Sequence, residues 1–297
     1  MRKRLSSAVL AVLLSVVALP AASASDPAAS DPAASDAAAS DPGAAGSAGF
    51  GPMSYGVAEP GPAAARDGNH RLKTCARAEL LFCEDFQDVP TGAGTSLKWG
   101  VDTRNGSLEV ERDRRGQKVL HVRAEGNGRA FLKVDDFAAP GNSFYGRVRV
   151  RVDAFPTEPD WAHYTLIEAT GDGPEVVRPL GGQYVPTLDK ALWGVGADGG
   201  PTGDWTNWRE SAPSKPDVWQ CVEWRMDASD NRITLWFDGV ANPDLTVSTR
   251  EHGGNQVDFL FPKFDTVKLG WQLYQPNGGS YDIWLDDIAL GANRIGC

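Results

Sequence analysis

The chain has 297 residues, and its 39 acidic against 29 basic side chains give a formal net charge of −10. That length accommodates one large domain or two small ones. The acidic balance argues against nucleic acid as a partner. It leaves room for an anionic polysaccharide, because charge local to a groove outweighs the total.

Met1-Arg2-Lys3-Arg4 is a basic start, Ala8 to Leu19 is an apolar run, and Ala22-Ser23-Ala24 is a small-residue cleavage site. This is the pattern of a secretory signal peptide over residues 1–24, which predicts an extracellular protein. No later run approaches the ~18 apolar residues of a membrane span. A pentad, Ser25-Asp26-Pro27-Ala28-Ala29, then recurs from Ser30, Ser35 and Ser40 with small changes. Without bulky apolar residues it has no core to bury, so residues 25–70 read as a disordered linker or wall spacer. In an exported chain the four cysteines read as two disulfides, and three connectivities are open. Cys75–Cys83 with Cys221–Cys297 is the preferred pairing. The second bridge closes a loop of roughly 75 residues, contributing up to about 4–5 kcal/mol in the chain-entropy model.

Residues 71–297 are expected to fold as one all-β domain. Strand-like runs occur at 80–86, 108–111, 118–123, 130–134, 145–153, 163–168, 220–226, 232–237, 266–274 and 281–290. Asn105-Gly106, Asn127-Gly128, Gly171-Asp172-Gly173 and Asp238-Gly239 read as the turns between them. Trp193 to Trp208 is a Gly-rich stretch with three tryptophans, which either stack on sugar rings or pin a long loop. In 266–274, alternation points Val267, Leu269, Trp271 and Leu273 inward, and Lys268, Gly270, Gln272 and Tyr274 outward. Arg147, Arg149 and Arg151 likewise point outward from their strand. No helical period follows the signal, so a two-sheet antiparallel sandwich is expected.

Gln220-Cys221, Trp236 with Asp238-Gly239, Gly270-Trp271, Tyr274, Trp284-Leu285-Asp286-Asp287-Ile288 and Arg294-Ile295-Gly296-Cys297 resemble the fungal cellulose-induced secreted protein family and its bacterial relatives. Asp85-Phe86, Arg151, His163, Arg178 and Gly181-Gly182-Gln183 fit the same order. The resemblance implies a concanavalin-like β-jelly roll with an open cleft, similar to glucuronan and alginate lyases, which cleave uronic-acid polymers by β-elimination. A uronate lyase neutralises the C6 carboxylate, removes the C5 proton and protonates the departing O4. Arginine and an amide donor suit the first task, histidine and tyrosine the proton transfers.

By resemblance the catalytic set is His163, Arg178, Gln183 and Tyr274, with Arg151, Trp193, Gln272 and Lys268 as substrate-binding residues. Each has a plainer reading: a packing histidine, an ordinary sheet tyrosine, a solvated arginine. The resemblance also implies a structural calcium at positions matching Gln87, Arg115, Lys118 and Asp286. Arg115 and Lys118 offer no side-chain oxygen, so loss of the ion, or its replacement by a basic side chain paired with Asp286 or Asp287, is expected and no cofactor is assigned. The expected partner is an acidic polysaccharide, bound by a monomer. The alternative function is a non-catalytic carbohydrate-binding accessory protein on the same fold; a third is a structural surface protein.

Overall fold

The computed structural model describes Cys75 and residues 79–297. The signal segment and the linker lie outside the described residues.

Alternating apolar side chains build thirteen strands here. They are β1 (Leu80–Glu84), β2 (Gly100–Arg112), β3 (Lys118–Val134), β4 (Phe144–Val152), β5 (His163–Gly171), β6 (Val176–Val185) and β7 (Lys190–Asp198). There follow β8 (Trp205–Pro213), β9 (Gln220–Asp227), β10 (Arg232–Phe237), β11 (Val240–Val247), β12 (Phe264–Leu273) and β13 (Ser280–Gly291). Pairing is antiparallel, in the order β11-β10-β9-β4-β13-β3-β12-β5-β6-β7-β8, with β1 on β13 and β2 on β3. No helix among the described residues is long and apolar enough to cross a membrane.

The long strand β3 links the two layers. Its first half pairs with β13, and its second half with β12. Asn105-Gly106 and Asn127-Gly128, expected to be turns, instead oppose each other inside the β2–β3 ladder, where the register slips between Arg104 and Gly106. Asn105 and Gly126 take left-handed φ values of 50° and 55° there, so these residues absorb a bulge while both strands continue. Asp238-Gly239 does form the β10–β11 turn, with φ of 51° and 82°, as a two-residue hairpin needs.

A second difference lies in the Gly-rich stretch from Trp193 to Trp208. Its two ends are strand, the last residues of β7 and the first of β8, and a short turn over residues 199–204 joins them. Gly194 and Gly196 lie in β7 against Thr206 and Arg178, where they serve packing without breaking the strand, while Gly199 and Gly203 take left-handed φ values in the turn.

The core fills the space between the layers. Trp271 of β12 stacks on Tyr281 of β13 at 5.1 Å, Phe144 of β4 meets Phe264 of β12 at 5.8 Å, and Trp193 of β7 meets Phe237 of β10 at 6.3 Å. Val267, Leu269, Trp271 and Leu273 are buried, as the alternation predicts. Truncating one of the buried tryptophans would cost about 3–5 kcal/mol. Both preferred disulfides form, Cys75–Cys83 and Cys221–Cys297. The second ties the chain end to β9.

Candidate functional site

The outward face of the β12-β5-β6-β7-β8 layer gathers most of the expected site. One row of paired residues crosses it: Trp208, Gly194, Gly181, Thr165, Gln272, Arg129 and Arg104. The two glycines put no side chain of their own between Trp208 and Thr165, three strand spacings or about 14 Å, although Thr206 leans over Gly194. A Cβ on Gly194 would stand 2.6 Å from Thr206 Cγ2, so that position is closed to larger residues. Trp208 lies 6.2 Å from the exposed Trp161, and a cavity of about 590 Å³ runs from Thr206 and Trp208 along β8 to Asp244 of β11, away from His163, Arg178, Gln183 and Tyr274.

Beside this row, His163 pairs in register with Gln183. Its backbone N–H donates to Gln275 Oε1 at 2.6 Å. Gln275 Nε2 then faces His163 Nδ1 at 3.1 Å. With Oε1 already accepting, the amide nitrogen is the donor, so the neutral ring carries its proton on Nε2. Burial, and to a smaller extent Arg178, hold the His163 pKa below the ordinary histidine value against the opposing pull of Asp204. The ring is therefore neutral at neutral pH.

Tyr274 follows β12 and reaches over β5, where Thr165 Oγ1 donates to its phenol oxygen at 3.3 Å. Burial pushes its pKa up to about 12, with Arg178 working the other way. Arg178 is buried, with its guanidinium 5.3 Å from the Tyr274 ring centroid. It passes over Gly196, where a Cβ would stand 3.1 Å from Arg178 Nε and 2.5 Å from the Trp205 carbonyl. Its Nη2 donates to the carbonyls of Ala197 at 2.6 Å and Trp205 at 3.1 Å, and to Asp204 Oδ1. Burial alone would lower the Arg178 pKa; Tyr274 and Asp204 outweigh it, and the net shift is upward.

Lys268 and Gln272 lie on the same face. Lys268 is shared by Asp102 at 2.9 Å and Glu168 at 3.3 Å, and Arg129 also holds Asp102 at 2.8 Å. Burial raises the Glu168 pKa despite that lysine. Sequence reasoning missed Glu168, Thr165, Asp204, Gln275 and Trp161. A register shift in β5 between Thr165 and Ile167 turns both Thr165 and Glu168 outward, which strict alternation excludes.

Two expected binding residues sit elsewhere. Trp193 is a core side chain, 2% exposed and packed against Phe155, Tyr164 and Phe237, so it offers no face to a ligand in this cleft. Arg151 belongs to β4 in the other layer, 3.9 Å over the Trp284 ring and 3.2 Å from Asp217. Parity pointed it outward correctly, but toward the opposite side of the sandwich.

The calcium position implied by the resemblance does not fit the ion. Lys118 Nζ donates to the carbonyls of Gln87 at 2.8 Å and Val89 at 2.7 Å, and Gln87 Nε2 donates to the Lys118 carbonyl. An ammonium thus takes the oxygen atoms a cation needs. Among the described residues no cluster of three or more His, Cys, Asp or Glu side chains is arranged to hold a metal.

A family model described as Polysacc_lyase-like, Cip1-like core domain, matches residues 195–293. Tyr274 lies within that stretch, and His163, Arg178 and Gln183 precede it. Among solved structures the chain is similar to the cellulose induced protein Cip1, at 21% identity, 73% of this chain, 99% of that one and a TM-score of 0.50. A family 16 glycosyl hydrolase protein from Mycobacterium smegmatis gives 14% identity, 71% and 99% coverage and a TM-score of 0.46. No curated protein matches the chain. The Cip1 likeness is one of fold and agrees with a jelly-roll sandwich.

Proposed function

We propose that this protein is an exported carbohydrate-active jelly-roll protein that cleaves a uronic-acid polysaccharide by β-elimination. The observation that carries the reading is the convergence of His163, Gln183, Arg178 and Tyr274, from three separate strand regions, on one face beside a row of glycines. The match to a polysaccharide-lyase-like family model supports it.

In this reading Arg178 and Gln183 bind the C6 carboxylate and stabilise the charge that spreads onto it when C5 loses its proton. The C5–H electron pair becomes the C4=C5 double bond, the C4–O4 bond breaks, and O4 takes up a proton. His163 and Tyr274 exchange these protons. His163 is neutral and Tyr274 is a phenol at neutral pH, so one proton acceptor and one donor are present together. Gln275 must release Nδ1 before that nitrogen can act as a base. Trp208 and Trp161 would stack on sugar rings along this face.

Incubating the purified protein with glucuronan and alginate tests this directly, because the unsaturated uronate product absorbs in the ultraviolet. Absorbance growth supports the lyase. No growth, with the protein retained on the polymer, supports the second reading, a carbohydrate-binding accessory protein. That reading has its own observation: Arg178 already holds a carboxylate, Asp204.

A further inference from the structure

Arg178 is the group that the proposed lyase needs for the substrate carboxylate, and it is not free. Its side chain is 3% exposed, whereas that of its partner Asp204 is 57% exposed. The guanidinium therefore meets solvent largely behind Asp204. Its remaining Nη2 partners are main-chain carbonyls, which a ligand cannot displace without opening the β7–β8 ladder. Nε is buried and unpartnered. The exchangeable contact is the Asp204 carboxylate.

We propose that Asp204 is an internal surrogate for the substrate's uronate carboxylate. It occupies the Arg178 subsite in the free protein and must rotate away for an acidic sugar to enter. This inference rests on the lyase reading of the site and adds a specificity-determining residue to it.

The loop carrying Asp204 is anchored, so the exchange is a side-chain event. Thr202, two residues before it, is buried, donates to Glu175 Oε1 at 2.7 Å, and accepts from the Asn255 backbone N–H through its carbonyl at 3.0 Å. Asn255 Nδ2 also holds the Pro201 carbonyl at 3.1 Å. Asp204 itself is exposed and its charge is satisfied by water when it turns outward. Arg178 cannot follow it, because Gly196 beneath and Tyr274 beside it fix its course. An incoming carboxylate thus exchanges one ion pair for another, and pays the fraction of time that Asp204 occupies the subsite. A neutral sugar gains nothing from displacing Asp204, so the device discriminates by charge: a neutral sugar is refused and a well-placed uronate is accepted.

Calorimetric titration of the full-length protein with a tetraglucuronate, and with a neutral cello-oligosaccharide as control, tests the assignment. With Asp204 seated about 90% of the time, D204A binds the acidic oligosaccharide about tenfold more tightly than the unmodified protein, with no change for the neutral one. D204N, which keeps a polar contact but loses the charge, falls between them. Equal or weaker acidic binding in D204A, with its melting temperature preserved, means that Asp204 braces Arg178, and overturns the surrogate while leaving the lyase reading intact. If D204A is unstable, D204N alone decides by the same sign. Failure of every variant to bind or turn over a uronate overturns both.

Discussion

On the face of β13, β4 and β9, Arg151 covers one side of Trp284 at 3.9 Å and His121 stacks at 4.8 Å, nearly parallel. Glu111 accepts from the Trp284 indole N–H at 2.7 Å, and His121 is flanked by Glu111 and Asp282. On the face of β12, β5 and β6 the same residue types meet differently. His163, Arg178 and Tyr274 lie beside a row of glycines, and Arg178 is buried against main-chain carbonyls and Asp204, whereas Arg151 lies over an indole ring and pairs with the exposed Asp217. The first set is closed on itself, since both faces of the indole are taken. The second has two glycines, Gly181 and Gly194, in the strand row beside it. A histidine, an arginine and an aromatic residue on an outward strand face therefore do not define a site; the neighbours beside them do.

The comparison can be broken by changing one face at a time. The largest effect is expected from H163A and Y274F, each lowering turnover of a uronate polymer by about 10²- to 10⁴-fold, with H121A leaving it within twofold. Steady-state assays of the three variants decide this, and loss in H121A would dissolve the distinction between the faces. Next is G196A, whose new methyl meets the Trp205 carbonyl and Arg178. Displacing Arg178 by about 1 Å should cost roughly 100-fold in kcat/KM, with the secondary structure intact by circular dichroism.

The pH profile follows. His163 titrates below the ordinary histidine value because it is buried, and Tyr274 is raised to about 12. A depressed histidine stays neutral as pH falls until its own lowered pKa is crossed. Turnover should be flat from about pH 7 into the alkaline range and fall only on the acid side, below the ordinary histidine value of about 6.5. An alkaline limb near pH 8 would contradict the Tyr274 assignment. The smallest effect separates the tryptophans. W208A should raise KM about three- to tenfold, the worth of one aromatic stacking contact, at unchanged kcat. W284A should leave KM alone and instead lower stability by about 1–3 kcal/mol, read by urea unfolding.

Much of the fold was legible because burial enforces parity. β12 reads correctly residue by residue, since Val267, Leu269, Trp271 and Leu273 all enter one core. Parity fails where strands bulge. Asn105-Gly106 and Asn127-Gly128 have turn chemistry, but here the left-handed φ values of Asn105 and Gly126 serve a bulge in the β2–β3 ladder. Parity also says which residues face outward without saying on which layer, so the outward direction of Arg151 did not reveal that β4 lies in the layer opposite Arg178. Trp193 points inward because its strand neighbours Gly194 and Gly196 occupy the cleft side. Asp204 left no signal, because its importance comes from a contact across 26 residues.

The most direct measurement is the ultraviolet absorbance of a glucuronan digest, run with the unmodified protein and with R178A. The account predicts steady growth of unsaturated product for the first and loss of at least about 100-fold for the second, at matched folding. Equal growth from both proteins, or product from R178A alone, would contradict the assignment of Arg178 to the substrate carboxylate.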